Sequence, residues 1–113
     1  MNIWYPVSDL DAARSFYVER LGFQEVYFDE EDRWIRLLRN GVEIAISDAE
    51  FQEGPSSDEE LVATIEVEDV KAEAERLRKA GVEVGVIVEI PSTIRLLDVF
   101  DPDGNRLQLS EDL

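Results

Sequence analysis

Two kinds of hydrophobic pattern divide this chain. In eight short stretches apolar residues alternate with polar ones, or β-branched and aromatic residues cluster between turn signals, which predicts strands. In two longer stretches apolar residues recur at every third or fourth position, which predicts helices with one buried face. The predicted strands are 2–7, 23–28, 33–39, 42–47, 61–67, 82–88, 93–100 and 105–110, and the predicted helices are 8–21 and 69–80.

Polar residues and glycines mark the ends of the predicted helices. Ser8 and Asp11 have the spacing of a capping box, with Asp in place of Glu, which places Ser8 near the N-cap of the first helix. Gly22 and Gly81 each follow the last apolar residue of a helix. Glycine readily adopts the left-handed conformation that ends a helix, so we expect both helices to stop there.

The same order of elements occurs twice. Segment 66–70 repeats the pattern of segment 6–10, and both halves close on a glycine, an alternating apolar strand and a serine. Two copies are too few for a solenoid. We therefore predict an α+β fold in a single domain, 1–113, with a curved mixed sheet around a cleft. It consists of two tandem βαβββ modules, 1–47 and 61–113, joined by a linker at 48–60.

The composition excludes several kinds of site. The chain has 113 residues, enough for one domain, and contains neither histidine nor cysteine. Catalytic sites of the Ser-His-Asp or Cys-His type, disulfides and thiolate metal sites are therefore excluded. No apolar run reaches the ~20 residues that a membrane-spanning helix needs, and the N-terminus has no signal-peptide pattern, so we expect a cytoplasmic protein.

Charge narrows the possible partners. The formal net charge is −16, with 27 acidic residues against 11 basic ones. Nucleic acids and anionic membranes are bound through Lys and Arg, so neither is an expected partner. The acidic surface either maintains solubility or concentrates cationic ligands, and composition does not separate these two readings.

Four motifs lie at fixed places in this order of elements: Val7-Ser8-Asp9-Leu10-Asp11, Phe16-Tyr17, Leu21-Gly22-Phe23 and Asp101-Pro102-Asp103-Gly104-Asn105. Together they make the chain resemble the vicinal oxygen chelate superfamily, which includes glyoxalase I, extradiol dioxygenases, fosfomycin resistance enzymes and bleomycin-binding proteins. The resemblance implies paired modules with a cleft between them. It does not select one activity, because this scaffold carries many chemistries.

Metal-dependent members of that superfamily place one ligand, usually His or Glu, on each opening and closing strand. The resemblance assigns these four places to Asn2, Ala45, Val62 and Gln108. None of the four is a histidine or a carboxylate. The resemblance therefore implies a member without the usual metal site, and we predict no metal, no cofactor and no catalytic residue.

Strand alternation predicts which side chains face the cleft. On each strand, the alternate positions that carry aliphatic side chains should face the helices, and the positions between them should face the cleft. The predicted ligand-binding residues are Asn2, Trp4, Trp34, Glu43, Ala45, Val62, Thr64, Glu66, Arg106 and Gln108. Trp4 and Trp34 fit either core packing or stacking on a planar or cationic ligand. Arg106 fits an ion pair with Glu43 or Glu66, or a contact with an anionic ligand group.

Three functions fit these features. In the first, the protein binds or sequesters a small organic molecule, cationic or aromatic, as the bleomycin-binding relatives do. The alternative is a metal-dependent lyase, isomerase or dioxygenase with an atypical site, which would polarise a substrate with adjacent oxygens on a divalent ion. The third is a scaffold or regulatory partner. Relatives commonly pair module edges across a twofold axis, so we expect a homodimer.

Overall fold

The fold contains two modules, each with a sheet and a helix. A computed structural model of the chain describes residues 3–49 and 62–113. The first module consists of β1 (Ile3–Pro6), α1 (Leu10–Ser15), a π-helical turn (Phe16–Arg20), β2 (Gln24–Asp29), β3 (Trp34–Arg39) and β4 (Val42–Ser47). The second consists of β5 (Ala63–Glu66), α2 (Val70–Lys79), β6 (Glu83–Val84), β7 (Val88–Ile90), β8 (Ile94–Phe100) and β9 (Arg106–Asp112). The predicted α+β class is confirmed. Within these residues, no helix is long and apolar enough to cross a membrane.

Each module has its own mixed sheet. The strand order is β1-β4-β3-β2 in the first sheet and β5-β9-β8-β6 in the second, where β7 also pairs with β8. In both sheets the opening strand runs parallel to the closing strand, and the other pairs are antiparallel. A parallel pair needs a crossover connection, and the helix provides it while covering one face of the sheet. The opposite face of each sheet is called its open face below.

Aspartate, not serine, begins each helix. The Asp9 and Asp69 carboxylates each accept a hydrogen bond from the backbone amide three residues further on, at 3.1 and 3.0 Å. The N-cap of the first helix is thus Asp9, one residue after the predicted vicinity of Ser8. The Ser8 amide instead donates to the Asp103 carboxylate (3.1 Å), so this residue joins the first helix to the second module.

A second carboxylate caps each helix from the end of the closing strand. The first helical amide donates to Asp48 in α1 (3.1 Å) and to Glu111 in α2 (3.0 Å). Each carboxylate also accepts from an arginine, Arg33 for Asp48 and Arg95 for Glu111. Asp48, the first residue of the predicted linker, thus contacts the first module. Residues 50–60 of the predicted linker lie outside the described residues.

One extra residue distinguishes the first helix from the second. Thirteen positions separate the N-cap Asp9 from Gly22, and twelve separate Asp69 from Gly81. Both glycines have a positive φ, 75° and 79°, as expected where a helix stops. The first helix accommodates the extra residue by widening into the π-helical turn, which buries the consecutive pair Phe16-Tyr17.

The predicted strand 82–88 is interrupted. β6 contains two residues and β7 pairs separately with β8, so the second module has one strand more than the predicted βαβββ order. The interruption lies at Gly85, whose amide donates to the Asp98 carbonyl (2.8 Å). Glycine in a strand interior weakens the strand and often marks a bend, which explains why the pattern alone overestimated this element.

A single hydrophobic core joins the modules. It contains the helix-facing side chains of both sheets, among them Ile44 and Ile65, and the buried faces of both helices. Tyr5 connects the two sheets directly. Its hydroxyl donates to the Arg106 carbonyl (2.6 Å) and accepts from the Ala63 amide (3.0 Å).

The closing turn of each module docks on the opening strand of the other. The Asn40 side-chain amide donates to the carbonyl of Glu66 (2.6 Å), the last residue of β5. The Asn105 side-chain amide donates to the carbonyl of Pro6 (2.7 Å), the last residue of β1. Pro6 and Glu66 occupy equivalent places in the repeat, whereas the donors do not: Asn40 precedes the glycine of its turn and Asn105 follows it.

A buried carboxylate, Asp101, reinforces the same junction. It accepts hydrogen bonds from the Tyr17 hydroxyl (2.7 Å) and from the backbone and side-chain amides of Asn105 (2.9 and 2.8 Å). Burial raises the pKa of Asp101, although these hydrogen bonds oppose the rise. Burial, together with the Asp101 charge, raises the pKa of Tyr17 well above its usual range. Both modules therefore contribute to one internal polar network.

Candidate functional site

Side chains divide between the two faces of the sheets with the predicted parity. The helix-facing residues that are at most 5% exposed are Tyr5, Val7, Ile44, Ile46, Ala63, Ile65, Leu107 and Leu109. Ile3, Val42 and Val67 are partly buried and pack against this core. The predicted ligand-binding residues have the other parity, apart from Asn2, which lies outside the described residues.

Three aromatic rings cluster on the open face of the first sheet. The ring centroids of Trp4 and Trp34 are 6.3 Å apart, and those of Tyr27 and Trp34 are 5.1 Å apart. Trp4 is 54% exposed and Tyr27 is 47% exposed, so this aromatic cluster faces solvent and does not fill the core. Of the two readings of Trp4, the geometry favours contact with a ligand.

Strand register places two rings of the aromatic cluster, Tyr27 and Trp4, in one row across the sheet. Tyr27 lies beside Arg36, Arg36 beside Ala45, and Ala45 beside Trp4. Trp34 precedes Arg36 by two positions on β3 and shares its face. The larger side chains close over the Ala45 methyl group, which is only 7% exposed. Ala45 thus forms a low floor between Arg36 and Trp4.

Arg36 places a positive charge within the aromatic cluster. Its guanidinium carbon lies 5.7 Å from the ring centroids of both Tyr27 and Trp34, within the range of cation–π contacts. Its Nε forms an ion pair with Glu43 Oε1 (3.2 Å). Two of the predicted site residues, Glu43 and Trp34, are therefore brought together by a residue that the sequence argument did not single out.

Arg33 fixes the start of β3, immediately before Trp34. Its φ of 57° lies in the left-handed region, which L-residues rarely adopt. Its guanidinium donates two hydrogen bonds to Asp48 (3.2 and 2.8 Å), and its carbonyl accepts from the Ser47 hydroxyl (2.7 Å). The hydrogen bond from Arg33 holds the pKa of Asp48 below its usual value. These contacts keep the strained backbone in place and so orient Trp34 over the open face.

The open face of the second sheet has different chemistry. The exposed Thr64 donates its hydroxyl to Gln108 Oε1 (3.3 Å), and Arg106 Nη1 lies 3.5 Å from Asp98 Oδ2. Asp98, on the neighbouring strand, was not among the partners predicted for Arg106, which were Glu43, Glu66 or an anionic ligand group. This face offers hydrogen-bonding groups and carries no aromatic cluster among its described residues.

Glu66 belongs to a different concavity. It lines a groove of about 780 Å³ at the N-terminal end of α2, together with Asp69, Arg39 and Glu73. Arg39 forms an ion pair with Glu73 (2.7 Å). Burial alone would raise the pKa of Glu73, but hydrogen bonds from Arg76 and Arg39 outweigh it and lower that pKa. These charges hold the two modules together, and the groove does not include the aromatic cluster.

The positions that the resemblance assigns to metal ligands do not fit a transition metal. Ala45 and the half-buried Val62 have no donor atom, and the Gln108 amide oxygen is neutral and already accepts from Thr64. In residues 3–49 and 62–113, no group of three or more His, Cys, Asp or Glu is placed to hold a metal ion. Transition metals prefer imidazole, thiolate and carboxylate ligands, so this donor set does not support metal-dependent chemistry.

Sequence reasoning missed two residues of the aromatic face. A bulge between Glu25 and Tyr27 shifts the register of β2, so alternation counted from the buried Phe23 places Tyr27 on the wrong face. For Arg36 a signal was present: it lies two positions after Trp34 in an unbroken strand, and alternation puts both side chains on one face.

Comparison with known proteins is consistent with this fold. No curated protein matches the chain. The solved structure of TnmS3, an antibiotic binding protein from Streptomyces sp. CB03234, is 28% identical with a TM-score of 0.79, covering 99% of this chain and 93% of its own. A putative glyoxalase family protein from Bacillus anthracis is 25% identical with a TM-score of 0.78, covering 99% and 91%. The fosfomycin resistance protein FosX from Listeria monocytogenes, 20% identical with a TM-score of 0.77 over 100% and 92%, shares the fold.

A family model provides the assignment. It describes the Glyoxalase/Bleomycin resistance protein/Dioxygenase superfamily and matches residues 2–109, which is nearly the whole chain. The paired modules, their mixed sheets and the structural neighbours agree with it, and the chain belongs to this superfamily.

Proposed function

We propose that this protein binds a small planar organic molecule on the open face of its first sheet and does not transform it. The observation that carries the proposal is the solvent-exposed cluster of Trp4, Tyr27 and Trp34. Covering such rings with a ligand is favourable, by about 25 cal/mol for each Å² of apolar area removed from water. Binding of this kind needs stacking and shape, and no acid or base.

The chemistry of the face agrees with binding rather than catalysis. The chain contains no histidine, the commonest general base. The Glu43 carboxylate on this face is ion-paired with Arg36, and the Ser47 hydroxyl donates to a backbone carbonyl. These two side chains are therefore engaged in internal contacts.

Ring geometry favours a ligand that lies over the aromatic cluster. Two rings that sandwich a third need centroids about 7 Å apart, because stacked carbon atoms are separated by about 3.5 Å. The Trp4 and Trp34 centroids are 6.3 Å apart and the ring planes are tilted by 41°, so a third ring does not fit between them. The exposed faces of Trp4 and Tyr27 remain as the stacking surfaces.

One structural relative supports the class of function. TnmS3 is an antibiotic binding protein, and it shares 28% identity and the fold with this chain over nearly the full length of both. The comparison supports the binding of a small organic molecule. The aromatic cluster supports the planar character of that molecule.

Tryptophan fluorescence gives a direct test. Both tryptophans of the chain belong to the aromatic cluster, so their emission reports on the proposed site. Purified protein is titrated with a panel of planar compounds that includes aromatic and cationic glycopeptide antibiotics, and the ligand is then recovered for mass spectrometry. We expect saturable quenching and unchanged ligand. Absence of quenching across the panel, or a chemically altered ligand, would contradict the proposal.

The metal-dependent alternative makes a different prediction. If the protein is a lyase, isomerase or dioxygenase of its superfamily, elemental analysis of protein purified without chelator should find stoichiometric Ni, Zn, Fe or Mn, and turnover should stop on chelation. We expect metal well below stoichiometry, because Ala45, Val62 and Gln108 supply only one neutral oxygen between them. Stoichiometric metal with chelator-sensitive turnover would replace our proposal.

We further propose that the protein is a homodimer. Val88 and Ile90 on β7 are 51% and 49% exposed, and the nearby Val86 is 80% exposed. Soluble proteins usually protect exposed edge strands, and a second copy would cover this one and complete the ligand cleft. Sedimentation velocity should show a dimer that Val88→Lys dissociates and that Val18→Lys, which alters an exposed valine of the first module, leaves intact. A monomeric wild-type protein would refute this.

A further inference from the structure

We propose that Arg36 selects the ligand: the aromatic cluster accepts planar molecules that carry an acceptor oxygen, such as a carboxylate, phenolate or carbonyl, in preference to planar cations. This inference rests on the proposed function, because it concerns the same surface. It narrows the ligand class, since the acidic composition of the chain alone favours cations.

The guanidinium of Arg36 already lies close to two of the aromatic rings. The Arg36 guanidinium lies 5.7 Å from the centroids of both Tyr27 and Trp34. The attraction of a cation for a ring comes from the negative charge on the ring face, and Arg36 uses it for two of the three rings. A cationic ligand must therefore displace Arg36 or lie beside a like charge.

The same guanidinium can recognise an acceptor. Arginine has five N–H donors in a planar fork, and the ion pair with Glu43 engages Nε, at 3.2 Å from Oε1. The side chain is 44% exposed, so its outer edge faces solvent. A planar ligand that stacks on Trp4, across the low floor at Ala45, brings a peripheral oxygen beside this edge. Hydrogen bonds between a charged donor and such an oxygen are stronger than neutral ones.

The charge of Arg36 affects a bound ligand more than the charges of distant acidic residues do. The Debye length is about 8 Å at physiological ionic strength, so charges far from the ligand are screened while the guanidinium in contact with it is not. Glu43 neutralises part of the Arg36 charge. It also holds the guanidinium over the rings, which limits the entropy lost when a ligand binds.

The test compares two probes with the same ring system and opposite charge. Anthracene-9-carboxylate and protonated 9-(aminomethyl)anthracene are titrated into the full-length protein, with tryptophan quenching as readout. The titrations are made in about 0.5 M salt, where the field of distant charges is screened to within a few Å. We expect the carboxylate to bind about tenfold more tightly than the amine, the scale of one additional charge-assisted hydrogen bond.

Two arginine variants supply the matched comparison. Arg36→Gln should abolish the preference for the carboxylate and shift it toward the amine, because the selecting charge is gone and the Glu43 carboxylate is left without its partner. Arg14→Gln removes another guanidinium that lies over a ring, at 4.2 Å from the Phe28 centroid, and that pairs with Glu25, but it lies on the helix side of the same sheet. Arg14→Gln should keep the wild-type preference.

A third variant tests the direction of the effect. Glu43→Gln removes the internal partner of Arg36 and should increase the preference for the carboxylate. If both probes bind but Arg36→Gln leaves their ratio unchanged, the inference about selection is wrong while the proposed binding function stands. If neither probe quenches the wild-type protein, the binding function fails and the inference fails with it.

Discussion

The two modules of this chain agree in their scaffold and differ in their open faces. The amides of Val7 and Val67, which follow the opening strands, donate to the carbonyls of the closing serines, Ser47 and Ser110, at 2.9 and 2.7 Å. The double capping of the helices repeats in the same way. These contacts satisfy backbone groups that the fold would otherwise leave unpaired, which explains why both copies have them.

The open faces do not repeat. The equivalent positions in the first and second modules are Trp4 and Thr64, Glu43 and Arg106, and Ala45 and Gln108. At these three pairs of positions, an aromatic, an acidic and a small side chain in one module thus correspond to a polar, a basic and a polar side chain in the other. Positions that satisfy the backbone are constrained in both copies, whereas positions that face solvent are free to specialise. The comparison suggests that one face per chain provides stacking and the other provides hydrogen bonds.

Among the changes considered, removal of one aromatic ring should have the largest effect on ligand affinity. Trp34 contacts both other rings of the aromatic cluster, so Trp34→Ala removes stacking area and loosens Trp4 and Tyr27. We expect the dissociation constant of a planar probe to rise by about 10- to 100-fold, since a stacked aromatic contact is worth about 1–3 kcal/mol. Isothermal titration calorimetry measures the change.

The matching change on the second face is Gln108→Ala. Its side chain pairs with Thr64 and does not touch the aromatic cluster in the described contacts. We expect the affinity to change by less than about threefold, below 1 kcal/mol. Equal losses in the two variants would mean that both faces bind the same part of the ligand.

Tyr17→Phe tests the junction between the modules. The tyrosine hydroxyl donates to Asp101, and its removal leaves a buried carboxylate without one partner. We expect the free energy of unfolding to fall by about 1–2 kcal/mol, within the range for a buried polar group that loses a hydrogen bond. Urea denaturation measures it. Tyr27→Phe, on the exposed face, is the control and should change stability by less than about 0.5 kcal/mol.

Glycine substitutions should affect the two closing turns equally. Gly41 and Gly104 have φ of 80° and 84°, and a methyl group added at either meets no atom within 4 Å. The cost of alanine is therefore conformational, about 1 kcal/mol at each site. Thermal or urea denaturation of Gly41→Ala and Gly104→Ala should give equal losses. A large difference would show that the repeat does not extend to these turns.

The smallest expected effect concerns pH. Because Arg33 lowers the pKa of Asp48 in the folded state, the pair stabilises the protein at pH values above the unfolded pKa of about 3.9. This contribution is lost as pH falls from that value through the lower folded pKa. Arg33→Gln should thus reduce stability near pH 6 and have little effect near pH 2. Urea denaturation between these pH values gives the profile.

A control charge change separates this pair from general electrostatics. Lys79→Gln removes a positive charge from an exposed pair on α2, whose side chains are 76% and 70% exposed. Its stability profile should run parallel to that of the wild type. If Arg33→Gln also runs parallel, the contact between Arg33 and Asp48 makes no pH-dependent contribution.

Much of the fold could be predicted from the sequence because its signals are local. Alternation in unbroken strands placed Tyr5 and Ile44 in the core and Trp4 on the opposite face. Gly22 and Gly81 marked the helix ends, because the residue that ends each helix adopts the left-handed conformation that glycine favours. The choice between Ser8 and Asp9 as N-cap could not be made in this way, because both residue types cap helices well.

The rest depends on geometry that the sequence does not show. The bulge in β2 moves the side chain of Tyr27 to the opposite face of the sheet, and no nearby residue predicts the bulge. The interruption at Gly85 follows from its pairing with Asp98 across the sheet. Alternation alone puts Arg36 on the face of Trp34, but its contacts with Tyr27 and Glu43 join three strands and could be found only after the register was known.

The amide-to-carbonyl contacts of Asn40 and Asn105 have an implication for how such a chain can change. Their acceptors are main-chain atoms of Glu66 and Pro6, so the contacts are indifferent to the side chain at either place. The side chains of an open face can therefore be substituted, by design or by evolution, without loss of these contacts between the modules. Transplanting the rings at 4, 27 and 34 onto the matching strands of the second half is therefore a realistic route to a two-pocket variant.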